Sequence, residues 1–167
     1  MSRMNKEKYF KETRAYRNCN PLNIRATKAR WQGQVGQDDK GFVRFVSFDK
    51  GYRAAMRIFR SYRLAGLKTI REIIERWAPP EENDTEKYIS TVVQYMNAKQ
   101  DKEKITPDSV IELKDRDLMP LLMLGMTRVE MGANATQLDD LSSFAEIGWD
   151  MAVTDPDYFT GITRRYR

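Results

Sequence analysis

From Asp49 to Gly132 the sequence spells a succession of helices with their own start and stop signals, and this most narrows the folds open to the chain. Tyr52, Ala55, Met56, Phe59 and Tyr62 recur at helical spacing, and Gly66 ends that run because glycine enters the left-handed backbone of a helix end without strain. Thr69 followed by Glu72 predicts a capping box for TIREIIERWA, which Pro79-Pro80 must terminate. Asn83 or Asp84 can cap the next helix, whose Tyr88, Ile89, Val92, Val93 and Met96 make one apolar stripe. Asp117 can cap LMPLLMLGMTRVEM, with Pro120 tolerated in its first turn and Gly132 at its end.

The flanks differ in kind. Residues 1–16 predict a basic arm or short helix anchored by Tyr9, Phe10 and Tyr16, and 17–40, rich in Asn, Gly and Gln, predict loop and short strand. GFVRFVSF at 41–48 is aromatic and β-branched, as suits one strand of a small hairpin. Thr106-Pro107 opens a turn or brief helix, and the tail carries an amphipathic segment through Leu138, Leu141, Phe144, Ala145 and Ile147. With 167 residues the chain supports one domain plus tails: arm 1–16, domain 17–132 and an acidic extension 133–167 with the basic end RRYR. The expected class is mainly α with a small β-hairpin.

Histidine is absent and Cys19 is the only cysteine, so Ser-His-Asp and Cys-His catalysis, imidazole metal sites and internal disulfides are excluded. Chemistry falls to carboxylates, lysines, tyrosines or backbone donors, of which carboxylates acting on sugars are a common case. No metal or cofactor is expected. No apolar run approaches eighteen residues and MSRMNKEKYF lacks a signal-peptide core, so neither a membrane span nor a signal peptide is expected. Residues 1–30 hold nine Lys or Arg against Glu7 and Glu12, whereas Met131 to Thr163 contains no cation and six carboxylates. The basic half suits a polyanion such as nucleic acid or anionic cell wall, and equally a solvated or subunit-pairing surface. Arg53, Arg57 and Arg60 form a basic ridge on one helix face, with the same two readings.

RNCNPLNIR, residues 17–25, packs three asparagines, a proline and two arginines into nine positions and leads to Trp31. These residues bend and cap backbone, which makes a polar turn; they also suit a sugar groove, where amides and guanidinium groups serve hydroxyls and an indole offers an apolar face. WAPPEENDTEKYI has an evident structural task, closing one helix and starting another, and Tyr88 fits the apolar stripe.

The ordered blocks RNCNPLNIR, WQGQVG, GFVRFVSFDKGYRAAMR, LKTIREIIERWAPPEENDTEKYI and MTRVEMG resemble the NPGNIR-type proteins of phages and Bacteroidetes, described as virion structural proteins or peptidoglycan hydrolases. The resemblance implies a lysozyme-like helical fold that binds and cleaves glycan strands, with muramidase or lytic transglycosylase chemistry, or that keeps this fold for virion assembly. Its partners would be peptidoglycan and other virion proteins, and its location the virion, or the host cytoplasm before assembly. In lysozyme-like enzymes a Glu-x-Gly at a helix end supplies the acid; here that is Glu130-Met131-Gly132, after the Asn loop, which implies a circular permutation. Glu130 is the implied general acid, raised in pKa by apolar neighbours such as Met123, Leu124 and Met126, unless Arg128 holds it ionised. Glu12 is a rival acid, and Asp38, Asp39, Glu82 and Asp84 are candidates for a second carboxylate. Asn20, Asn23, Arg25, Trp31, Ser47, Trp77, Asn83 and Tyr88 are the implied substrate contacts. Cys19, Leu22 and Met131 depart from the family pattern, and Leu22 in place of Gly predicts a stiffer loop.

Overall fold

A computed structural model describes residues 2–164 and 167. Two short helices, α1 (Arg3–Glu12) and α2 (Arg14–Arg17), share Thr13 as a hinge: its backbone N–H ends α1 on the Phe10 carbonyl, and its hydroxyl accepts from the Tyr16 N–H to start α2. Phe10 is buried and begins a chain of ring contacts through Tyr16 and Phe48 to Phe144, which docks the arm on the body. A hairpin follows, with β1 (Gln34–Gln37) antiparallel to β2 (Val43–Phe45) and an irregularity between Gln34 and Gly36. The strand predicted over 41–48 is thus three residues long, because Ser47 already stands at the start of the next helix.

The helical body comprises α3 (Phe48–Leu64), α4 (Ile70–Trp77), α5 (Thr85–Lys99), α6 (Leu118–Met131) and α7 (Ala135–Val153). The Thr69/Glu72 capping box forms, Asp84 caps α5, and Gly132 closes α6 at φ +65°. Asp117 stands at the α6 N-cap without a side-chain bond to the helix; Asp115 instead accepts from the Asp117 and Leu118 N–H groups. Thr106-Pro107 opens a turn, as expected, closed by the Ser109 N–H on the Thr106 carbonyl at 3.1 Å, after which Val110 bridges to Thr69. Helix α6 is packed between α5 and α7, and Leu122, Met123 and Met126 are wholly buried. Each such side chain contributes about 1.5–3 kcal/mol on burial, enough to override the ~1 kcal/mol preference against Gly125 within the helix.

The segment expected as an extension shares the core. Helix α7, opened by an Asn134/Gln137 capping box, buries Leu138, Leu141, Ala145 and Trp149 and lies directly against α3. At the crossing a Cβ on Gly148 would stand 2.6 Å from Tyr52 Cβ and 2.7 Å from the Asp49 carbonyl oxygen, so only glycine permits this approach. The chain then returns along α3, and the basic ridge is occupied from within. Arg53 pairs with Asp155 at 2.5 Å, Arg57 with Asp157 at 3.2 Å, and Arg60 Nε donates to the Tyr158 carbonyl at 2.6 Å. Neither a solvated face nor a free polyanion surface describes it. Arg165 and Tyr166 of the basic end lie outside the described residues. Among those described, no helix is long and apolar enough to cross a membrane.

Candidate active site

The Asn loop is folded by its own amides. Asn20, fully buried, accepts from the Ile24 N–H through Oδ1 and donates through Nδ2 to the Ile24 and Val43 carbonyls, all at 2.9 Å. Within residues 17–25, positive φ occurs at Cys19 (+48°) and Asn23 (+52°). The premise of the stiffening expected from Leu22, a positive φ at that position, does not hold. No left-handed backbone is needed at position 22, where Leu22 serves as a wholly buried packing residue. Asparagine accepts the left-handed region more readily than most residues, and at position 23 that geometry turns the side chain toward the end of α6.

There Asn23 Nδ2 donates to the backbone carbonyl of Glu130 at 3.2 Å and to Glu130 Oε1 at 3.3 Å. The other carboxyl oxygen, Oε2, accepts from the Tyr88 hydroxyl at 2.8 Å. Burial lifts the Glu130 carboxyl above its ordinary range, and hydrogen bonds from Tyr88, Asn23 and the Trp77 indole oppose that rise without cancelling it. Burial also pushes the Tyr88 phenol well up, with the Glu130 charge adding to it, so Tyr88 stays a donor. Arg128 is exposed and does not hold the carboxyl ionised.

Glu130 faces a cleft of about 640 Å³. Asn23, Arg25 and Phe42 contribute to its lining from the loop and hairpin side, and Trp77, Glu82 and Asn83 from the α4–α5 connection. The structure thus assembles Glu130, Asn23, Arg25, Trp77 and Asn83 around one opening, with Tyr88 behind the carboxylate. Asn20, Trp31 and Ser47 stand apart. Asn20 spends its side chain on backbone, Trp31 packs against the core near the hairpin, and Ser47 occupies the N-cap position of α3. Reading the loop by composition could not distinguish an amide that folds it from one that faces out of it.

Of the other carboxylates among the described residues, Glu82 alone lines this cleft. Burial acts to raise Asp38, but hydrogen bonds from the Phe42 N–H, Asn18 and the Lys40 N–H, with the Arg14 charge, bring it down to about 2. Asp38 and Asp39 line a separate hollow with Arg17 and Arg44. Asp84 caps α5, and Glu12 is exposed on α1. Ile58, which the sequence pattern does not single out, and Tyr62, which its helical spacing marks only as core, also line the cleft. A larger groove of about 1120 Å³ lies between the end of α5, the following connection and α7. Its charges are largely spent on one another, as in Lys99–Asp139 and Lys102–Asp117, and Glu130 is not part of it.

No protein-family model matches the sequence. Protein P5 of Pseudoalteromonas phage PM2 is 36% identical to it over 141 residues, which span 81% of this chain and 82% of the phage protein. Of what the NPGNIR-type resemblance implies, this similarity carries the kinship with phage proteins. At that identity, sustained over most of both chains, the protein belongs to the family of phage Protein P5.

Proposed function

We propose that this protein is a virion component that binds peptidoglycan glycan strands in the Glu130 cleft and cleaves them as a lytic transglycosylase. On this reading the fold is lysozyme-like in circularly permuted order. The observation that carries the proposal is a carboxyl lifted by burial, oriented by Tyr88 and Asn23, and facing a cleft walled by amides and aromatic rings. Protonated Glu130 gives its proton to the bridging oxygen as the C1–O bond breaks. The C6 hydroxyl of the same sugar forms the new bond to C1, and its proton passes to the Glu130 carboxylate, restoring the acid. One carboxyl suffices for this cycle, whereas hydrolysis calls for a second to activate water. Glu82, the other carboxylate of the cleft, is exposed.

Mass spectrometry of sacculi digested with the purified protein tests the mechanism. Anhydro-muropeptides are the expected products, reducing-end products would shift the chemistry to hydrolysis, and no products at all would refute cleavage. A second reading, a non-catalytic assembly protein with other virion proteins as partners, draws on the kinship with a phage protein and on a Glu130 whose oxygens are both already bonded. Presence in purified particles without muropeptide release would favour it. The α3 arginines, paired within the chain, give nucleic acid no support as a partner, and that reading rests on the basic amino-terminal stretch alone.

The pH dependence has a definite sign. A raised carboxyl pKa means that the folded protein keeps a proton the unfolded chain releases. Acid competence and this contribution to stability therefore both fall as pH rises from the ordinary carboxylate range through the Glu130 pKa. The Tyr88 hydrogen bond lowers that pKa, so Tyr88→Phe is expected to move the alkaline limb of the pH–rate profile upward. An unmoved limb would remove Tyr88 from the acid's control.

A further inference from the structure

Two guanidinium groups rest on the ring of Phe42, Arg14 at 4.8 Å and Arg25 at 4.5 Å from its centroid. Their circumstances differ. Arg14 is neutralised by Asp38 at 3.2 Å, whereas Arg25 has no carboxylate partner among the described residues, is exposed, and lines the Glu130 cleft. Its backbone is bridged to Phe42, the residue that carries its side chain. Stacking on a ring uses the face of a guanidinium and leaves its N–H edges free, so the contact holds the fork in place without consuming its donors. A neutral sugar can take these N–H groups only as ordinary donors to its hydroxyls, whereas a carboxylate also uses the charge and can bind both edges of the fork at once.

We infer that Arg25 selects glycan strands by an anionic substituent of the muramoyl residue, the lactyl carboxylate where no peptide is attached or a carboxylate of the peptide where one is. This rests on the glycan-binding reading of the cleft. It adds that strands of N-acetylglucosamine alone are poor ligands, and that Arg25 is a specificity residue distinct from the acid.

Calorimetric titration in a Glu130→Gln background, which prevents turnover, separates the two. The probes are chitotetraose, which is neutral, and the tetrasaccharide alternating N-acetylglucosamine with N-acetylmuramic acid, its lactyl carboxylates free. A charge-assisted bidentate contact is expected to make the muramoyl ligand about tenfold tighter or more. Arg25→Gln should abolish that preference, bringing the affinity for the muramoyl ligand down to that for chitotetraose, and Arg25→Lys should restore part of it. Equal binding of both ligands, or a preference that survives Arg25→Gln, would overturn the role of Arg25 and leave the cleft as a glycan site. Binding of neither ligand would overturn the glycan reading together with this inference.

Discussion

Glu130→Gln is expected to lower product release from sacculi by about 10²–10⁴-fold, the usual contribution of a positioned general acid, without loss of folding. The amide matches the carboxyl in size, and its oxygen can still accept from Tyr88 or Asn23, so the helix end and cleft should keep their shape. The variant also removes an ionisable group whose charged form is disfavoured by burial. Its melting temperature at neutral pH should therefore equal or exceed that of the wild type. Loss of activity with retained or increased stability is the pattern of a functional carboxyl. If the glutamine protein instead clears sacculi at the wild-type rate, Glu130 is not the acid; if it unfolds, the Tyr88–Glu130–Asn23 arrangement is a structural lock.

How far the fold could be read in advance depended on whether the signal was local. The Thr69/Glu72 box, the Pro79-Pro80 stop and the Gly132 cap each act within a few residues, and each formed as spelled. Glu130 was legible because a short motif, Glu-x-Gly at a helix end, carries it. Its partners were legible only as types: nothing local says that Asn23 and Tyr88, 107 and 42 positions away, meet its carboxyl. The α3 ridge shows the same limit, since Arg53 is answered by Asp155 across 102 positions. Helix α7 looked like an extension because its acidic surface is conspicuous in sequence. Its buried contribution depends on Gly148, a residue that a hydrophobic pattern does not register.

The loop asparagines show most sharply how identical residue types divide between the loop's interior and the cleft. Asn20 and Asn23 are three positions apart, yet Asn20 is sealed within the loop while Asn23 reaches the cleft. Asn20→Ala would delete bonds to the Ile24 N–H, the Ile24 carbonyl and the Val43 carbonyl in one step. The Ile24 carbonyl also accepts from the Val43 N–H, so it keeps a partner. The Ile24 N–H loses the acceptor it had, and a buried group in that position costs ~1–3 kcal/mol. With the two lost donors added, the expected destabilisation is about 3 kcal/mol, or a fall of roughly 6–12 °C in melting temperature for a chain of this size. Below that temperature, cleavage per folded molecule should stay within about twofold of wild type, because surface-remote losses of this kind act on stability rather than on binding. Asn23→Ala should reach the site as well: it removes both part-buried bonds to Glu130 and should change the rate and its pH profile, in addition to about 1–2 kcal/mol of stability lost to alanine at φ +52°. An Asn20→Ala protein that melts normally but binds glycan poorly would return Asn20 to the groove. It would also mean that the loop is held by something other than its own amides.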